Sequence, residues 1–152
     1  MEYKVKVVAP EILMEPLLAL LEEAEYVPLV ISGGSMTPFL APGRDIVYLS
    51  KADRILKRGD MVLYQRKNGD YVLHRILRAD HGSYTMIGDA QTQPEPGILP
   101  EQIRAAVTAV RRKDKLLKKG SFRWFFFEKI WIRMVPARPV VRKIYAYIRR
   151  RI

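Results

Sequence analysis

This 152-residue chain has no cysteine and only two histidines. A disulfide framework, a thiolate metal site and a cysteine nucleophile are therefore excluded, and two imidazoles are too few for a multi-histidine zinc site. No metal or other cofactor is expected. Long apolar runs are also missing, since nothing approaches the roughly 18–20 residues that span a bilayer. The best N-terminal candidate, Leu17 to Leu21, is short and lies between Glu15 and Glu22. Met1–Pro10 followed by this acidic stretch lacks the apolar core and flanks of a secretory signal. These absences predict a soluble or peripheral protein, and the lack of cysteine fits a cytoplasmic location.

Hydrophobic residues make up 49% of the chain, enough for a packed core. Lys and Arg number 27 against 16 Asp and Glu, a formal charge of +11. Residues 1–110 hold 12 basic and 14 acidic side chains, whereas residues 111–152 hold 15 and 2. A nearly neutral body thus carries a strongly cationic tail. Three regions are expected: a helical arm over 1–25, a β domain over 26–112, and a basic aromatic tail over 113–152.

Residues 11–25 read as one helix, with Leu13, Leu17, Leu20, Leu21 and Ala24 on its apolar side. Pro16 is tolerable there if the helix begins near Leu13 or Glu15. Short alternating segments follow, predicting strands at 27–32, 45–49, 60–66, 71–78, 83–87 and 105–112. Lys67-Asn68-Gly69-Asp70 predicts a tight hairpin between the third and fourth, with Asn-Gly supplying positive φ angles. Residues 91–100, with three prolines and a glycine, read as a loop. In the tail, 122–135 and 140–152 read as amphipathic helices parted by Pro136 and Pro139.

The segment Ser32-Gly33-Gly34-Ser35-Met36-Thr37-Pro38 is the most informative for chemistry. Its glycines permit a sharp turn and close substrate approach, and Pro38 fixes the exit direction. Such a turn can expose the Ser35 hydroxyl and converge backbone N–H groups, as an oxyanion hole requires. Gly-Gly-Ser also occurs in ordinary loops. A serine nucleophile needs a base. His74 shares a strand face with Val72 and Ile76, where desolvation keeps its imidazole neutral. A structural core histidine is the plainer reading of the same position. His81, in Asp80-His81-Gly82-Ser83, reads as a solvated turn residue. Asp89, in Ile87-Gly88-Asp89-Ala90, either orients His74 or bonds its own turn.

In order and surroundings these segments resemble the signal peptidase I superfamily of serine peptidases, which includes the self-cleaving repressors. Gly34-Ser35-Met36-Thr37-Pro38 is similar to the nucleophile box, and Leu56-Lys57-Arg58-Gly59-Asp60-Met61-Val62 to the motif that opens a core strand. Val72-Leu73-His74-Arg75-Ile76 resembles the base box, and Gly88-Asp89-Ala90 the "GDn" box. The His74-Arg75 pair fits the branch with a histidine base. The resemblance implies a mainly β domain of that type and a Ser35–His74 endopeptidase acting through an acyl-enzyme. Signal peptidases usually carry a transmembrane anchor, and here no apolar run is long enough for one. Asp89 is the implied support of His74, with Glu95 as second candidate. Gly33, Gly34, Met36 and Pro38 are the implied oxyanion and substrate-binding surroundings. Gly33 stands where many members have a serine donor, so the hole is expected to be built from backbone.

A leader, signal or propeptide of a precursor protein is the expected substrate. The open alternative is a non-catalytic peptide-binding or maturation partner of the same fold. Trp124, Phe125, Phe126, Phe127, Trp131, Tyr145 and Tyr147 alternate with cations, which suits an anionic membrane surface reached through residues 119–152. Packing of those aromatics on the β domain is the competing expectation. Nucleic acid is disfavoured, because no recognisable module for it is present.

Overall fold

The alternating segments of the middle of the chain form an eight-stranded antiparallel sheet in the computed structural model, which describes residues 10–152. The strands are β1 (Val27–Val30), β2 (Asp45–Ser50), β3 (Met61–Gln65), β4 (Tyr71–Asp80), β5 (Ser83–Ile87), β6 (Glu95–Ile98), β7 (Ile103–Arg112) and β8 (Lys115–Lys118). Their order is β1-β2-β7-β3-β4-β5-β6, with β8 also on β7. One edge of β7 pairs with β2. Its other edge takes β3 at Ile103–Ala106 and β8 at Ala109–Arg112.

All six expected strands are present, and β6 and β8 are additions. The 91–100 loop contains β6, where Glu95 pairs with Met86 and Ile98 with Tyr84. Pro96 is compatible with pairing because β6 is an edge strand and needs only one row of backbone groups. The Asn68-Gly69 hairpin forms, but with a positive φ at Gly69 alone. Asn68 instead uses its side chain, its Oδ1 accepting from the Asp70 N–H at 3.0 Å. The closing backbone bond runs from Arg66 N–H to the Asp70 carbonyl, so the loop is longer than a two-residue turn.

Both faces of the sheet are buried. Met61 and Leu63 enter one apolar cluster with Val47, Leu49 and Val107, while Val62 and Tyr64 enter a second with Ile76, Met86 and Ile98. Strand alternation of this kind distributes neighbouring residues to opposite layers. The first layer is closed by α1 (Pro10–Ala19), which continues as a 3-10 turn over Leu20–Glu22. Its buried residues are Met14, Leu18 and Leu21, while Leu13 and Leu20 are exposed. The expected apolar side is therefore rotated, and Pro16 lies inside the helix rather than at its start. Docking of this i, i+4, i+7 set against the sheet decides the orientation over the count of leucines.

The C-terminal region also departs from two simple helices. The expected 122–135 helix is broken into α2 (Phe122–Phe125), a π turn over Phe126–Ile130 and a 3-10 turn over Trp131–Arg133. This tightening and loosening turns Trp124, Trp131 and Ile132 inward, all buried. Trp124 joins the first core layer and meets Phe39 edge-on at 5.7 Å. Trp124, Trp131, Ile132 and Arg138 thus join the buried interior, whereas α3 (Arg138–Arg151) projects beyond Arg138. No helix of the described residues is long and apolar enough to cross a membrane.

Trp124→Ala should cost about 3–5 kcal/mol of stability, the usual penalty for emptying an aromatic core position. Ile144→Ala on exposed α3 should stay within about 0.5 kcal/mol. Urea unfolding of both full-length variants checks this, and equal losses would contradict the division between body and projecting helix.

Candidate active site

The β3–β4 hairpin sets the site. Its register opposes Val62 to His74 and Tyr64 to Val72, leaving Tyr64 diagonal to His74 on the same face. Both His74 and Tyr64 are buried. Ser35 reaches them from the turn after β1 and is partly exposed. Its Oγ lies 3.2 Å from His74 Nε2. On the other side of the ring, Nδ1 lies 3.1 Å from the Tyr64 hydroxyl, which donates to Glu95 Oε1 at 2.7 Å.

This chain fixes the imidazole tautomer. A phenol has one proton, and Tyr64 directs it to Glu95, so His74 Nδ1 must donate to the tyrosine oxygen. The Nε2 lone pair then faces the Ser35 hydroxyl, the arrangement a general base requires. Glu95 is held as a carboxylate below its usual range, chiefly by its bonds with Arg66, whose Nε and Nη2 approach within 2.9 Å. Burial, with Glu95 as acceptor, pushes the Tyr64 hydroxyl up, so it keeps its proton. Burial also lowers His74 to about 4; the attraction of Glu95 opposes this and the Arg66 charge reinforces it. The imidazole is neutral at physiological pH.

Asp89 does not bond His74. Its carboxylate pairs with Arg75 at 2.9 and 3.1 Å, and both side chains are fully buried. Arg75 follows His74 on β4 and so points to the opposite layer, where a full positive charge outcompetes an imidazole for the acid. Arg75 also donates to the Gly59 carbonyl at 2.8 Å and stacks on Phe39 at 4.8 Å. Gly59, at φ +93°, packs so closely on the Glu128 backbone that a side chain there would collide with it. Burial raises the Asp89 carboxyl, and Arg75 counters that effect.

The Gly88–Gln91 loop joins these two layers. The Ala90 N–H donates to the Ser35 carbonyl at 2.9 Å. Gly88 leaves room for this approach, because a Cβ there would stand 2.5 Å from the Ser35 carbonyl oxygen and 3.1 Å from His74 Nε2. From the C-terminal region, Trp131 donates to the Asp89 carbonyl at 2.9 Å. Buried Arg138 donates to the carbonyls of Gly88 and Gln91 at 2.9 and 2.8 Å. These contacts hold the loop from behind.

The serine turn is mixed in character. Gly33 is exposed at φ +79°, and Gly34 and Pro38 are exposed beside it. The N–H groups of Gly34 and Ser35 make no backbone hydrogen bond among the described residues and remain open to a ligand. Met36, expected to line the substrate, turns its side chain into the first core layer and anchors the turn. His81 lies in the exposed β4–β5 turn. No group of three metal-ligating side chains occurs among the described residues.

No family model matches the chain, and no curated protein matches it. What the site can do rests on its own geometry. That geometry includes two residues the sequence did not single out, Tyr64 and Arg66. The Asn-Gly hairpin was the available signal for Tyr64, since its register places that residue diagonally across from His74.

Asp89→Asn should destabilise the fold by about 3–5 kcal/mol, because it leaves the Arg75 guanidinium buried without a counter-charge. Asp80→Asn breaks the exposed Arg78–Asp80 pair and should cost under about 1 kcal/mol. Chemical denaturation at neutral pH compares them, and an Asp89→Asn effect as small as that of Asp80→Asn would contradict the role of the buried pair.

Proposed function

We propose that the chain is a serine endopeptidase with a β domain of the signal-peptidase type, acting on a leader, signal or propeptide. The observation that carries this reading is the Ser35–His74 contact, with His74 Nδ1 tied to Tyr64 and its Nε2 lone pair turned to the serine. His74 takes the hydroxyl proton as Ser35 Oγ bonds to the scissile carbonyl carbon. The N–H groups of Gly34 and Ser35 receive the developing oxyanion. His74 then gives its proton to the leaving amine as the peptide bond breaks, leaving an acyl-enzyme on Ser35. Water adds to the ester with His74 again as base, and Ser35 departs with the proton restored.

Tyr64 and Glu95 take the place of a directly bonded aspartate. The transient imidazolium donates through Tyr64 toward the Glu95 charge, which is stabilising without proton transfer to the carboxylate. Substrate binding is supported by β1, which among the described residues pairs only with β2 and leads directly into the serine turn. Its other edge can receive an extended peptide by strand addition. Small side chains near the cleavage point are what the superfamily resemblance implies.

Ser35→Ala and His74→Ala should each lower peptide turnover by roughly 10²–10⁴-fold. Tyr64→Phe should lower it at least about tenfold, one hydrogen bond's worth of orientation. A serine-directed fluorophosphonate should label Ser35 in the wild type and not in the His74→Ala variant. Peptide binding without cleavage, together with an unlabelled Ser35 in folded protein, would replace the reading with that of a non-catalytic partner.

A further inference from the structure

Helix α3 buries none of its apolar side chains fully, and all but half-buried Val141 are exposed. Ile144 is 54% exposed, Tyr145 66% and Ile148 51%, and Val140 and Ile152 are exposed as well. At the helical period of about 100° per residue, Val140, Ile144, Ile148, Val141, Ile152 and Tyr145 fall in one arc of about 140°. Lys143 and Arg150 flank this stripe on one side, and Arg142 and Arg149 on the other. Arg151 falls within the stripe at its last turn, where it lies over the Tyr147 ring at 4.6 Å. Arg138 and Arg142, which follow Tyr145 around the helix, donate to carbonyls of the Gly88–Gln91 loop, so the stripe borders the body along that side and opens to solvent at Val140, Ile144 and Ile148.

An apolar stripe edged by cations selects its partner by charge as well as by hydrophobicity. Residues 129–152 contain eight basic and no acidic side chains. A second copy of α3 would bring like charges together. A nucleic acid would neutralise the cations and leave the isoleucines wet. An anionic bilayer satisfies both, with apolar side chains below the headgroups and guanidinium groups among the phosphates. We propose that α3 lies in the interface of anionic phospholipid membranes as the docking element of this protein. Exposed Phe122 and Phe125 belong to a different, short turn and are not needed for it.

The docking element is also fixed to the site. Arg138, the first residue of α3, is fully buried and donates to the Gly88 and Gln91 carbonyls, in the loop that holds Ser35. A membrane-bound α3 would therefore hold the Ser35–His74 turn at the bilayer surface rather than on a loose tether. The docking itself rests on the helix surface alone and stands whether or not the protein hydrolyses peptides.

Sedimentation of the full chain with vesicles of phosphatidylcholine and phosphatidylglycerol, at physiological salt, tests the proposal. The wild type should bind these vesicles and not pure phosphatidylcholine. The full-length Ile144→Glu/Ile148→Glu variant should lose at least about tenfold in affinity, since two buried apolar contacts are removed. Its Tm should be unchanged, because both positions are solvent-exposed. A Tyr145→Trp variant should show blue-shifted emission and acrylamide protection from that residue on anionic vesicles. The two buried native tryptophans are subtracted by measuring the wild type in parallel. Absence of binding to anionic vesicles, or equal binding by the wild type and a folded Ile144→Glu/Ile148→Glu variant, overturns the proposal. So does binding of duplex DNA by the wild type with no binding to anionic vesicles.

Discussion

A fully buried ion pair between Arg75 and Asp89 underlies the arrangement of the site. Arg75 comes from the middle of β4 and Asp89 from the loop after β5, so the pair locks that loop to the sheet. Two charges removed from water are stable only when paired and hydrogen-bonded. Arg75 meets most of this need through Nε to Asp89, Nη1 to the Gly59 carbonyl and the Phe39 ring, while its Nη2 makes no hydrogen bond among the described residues. Strand alternation then does the rest: the residue before Arg75 must point to the other layer, and that residue is His74. One short stretch of β4 therefore supplies both the anchor and the imidazole. The anchored loop brings Ala90 to the Ser35 carbonyl and leaves only a glycine-sized gap beside His74.

The electrostatics of His74 follow from what separates it from charge. Its ring is buried, which disfavours the imidazolium. Glu95 would favour that form, but Tyr64 stands between them and Arg66 offsets much of the carboxylate field. Desolvation wins, and the imidazole stays neutral with a fixed tautomer. Because the native-state value lies below the ordinary 6.5 of histidine, the unfolded chain binds a proton first as pH falls. Stability linked to this residue is thus complete above about 6.5 and declines as pH falls toward about 4.

Much of this organisation was legible in the residues themselves. Six strands followed from alternation, and His74 on a face with Val72 and Ile76 followed from the same rule. The β6 and β8 strands carry no such pattern, because Glu95-Pro96-Gly97-Ile98 and Lys115-Leu116-Leu117-Lys118 pair as edges on partners that template them. Asp89 was visible as an important acid, but sequence alone does not say which cation a carboxylate will meet. The neighbouring Arg75, not His74, took it. In the C-terminal region a mixture of aromatics and cations concealed two different fates. Trp124 and Trp131 are core residues fixed by Phe39 and the Asp89 carbonyl, whereas most apolar side chains of α3 stay exposed.

The site turns on the state of His74, a neutral imidazole with its proton on Nδ1. Titration of ¹⁵N-histidine-labelled protein by NMR, with His81→Gln to assign the two rings, addresses it directly. The expected result is an Nδ1–H tautomer for His74, a midpoint near 4, and loss of the single-tautomer signature in Tyr64→Phe. A midpoint near 6.5, or an Nε2–H tautomer in the folded wild type, would contradict it.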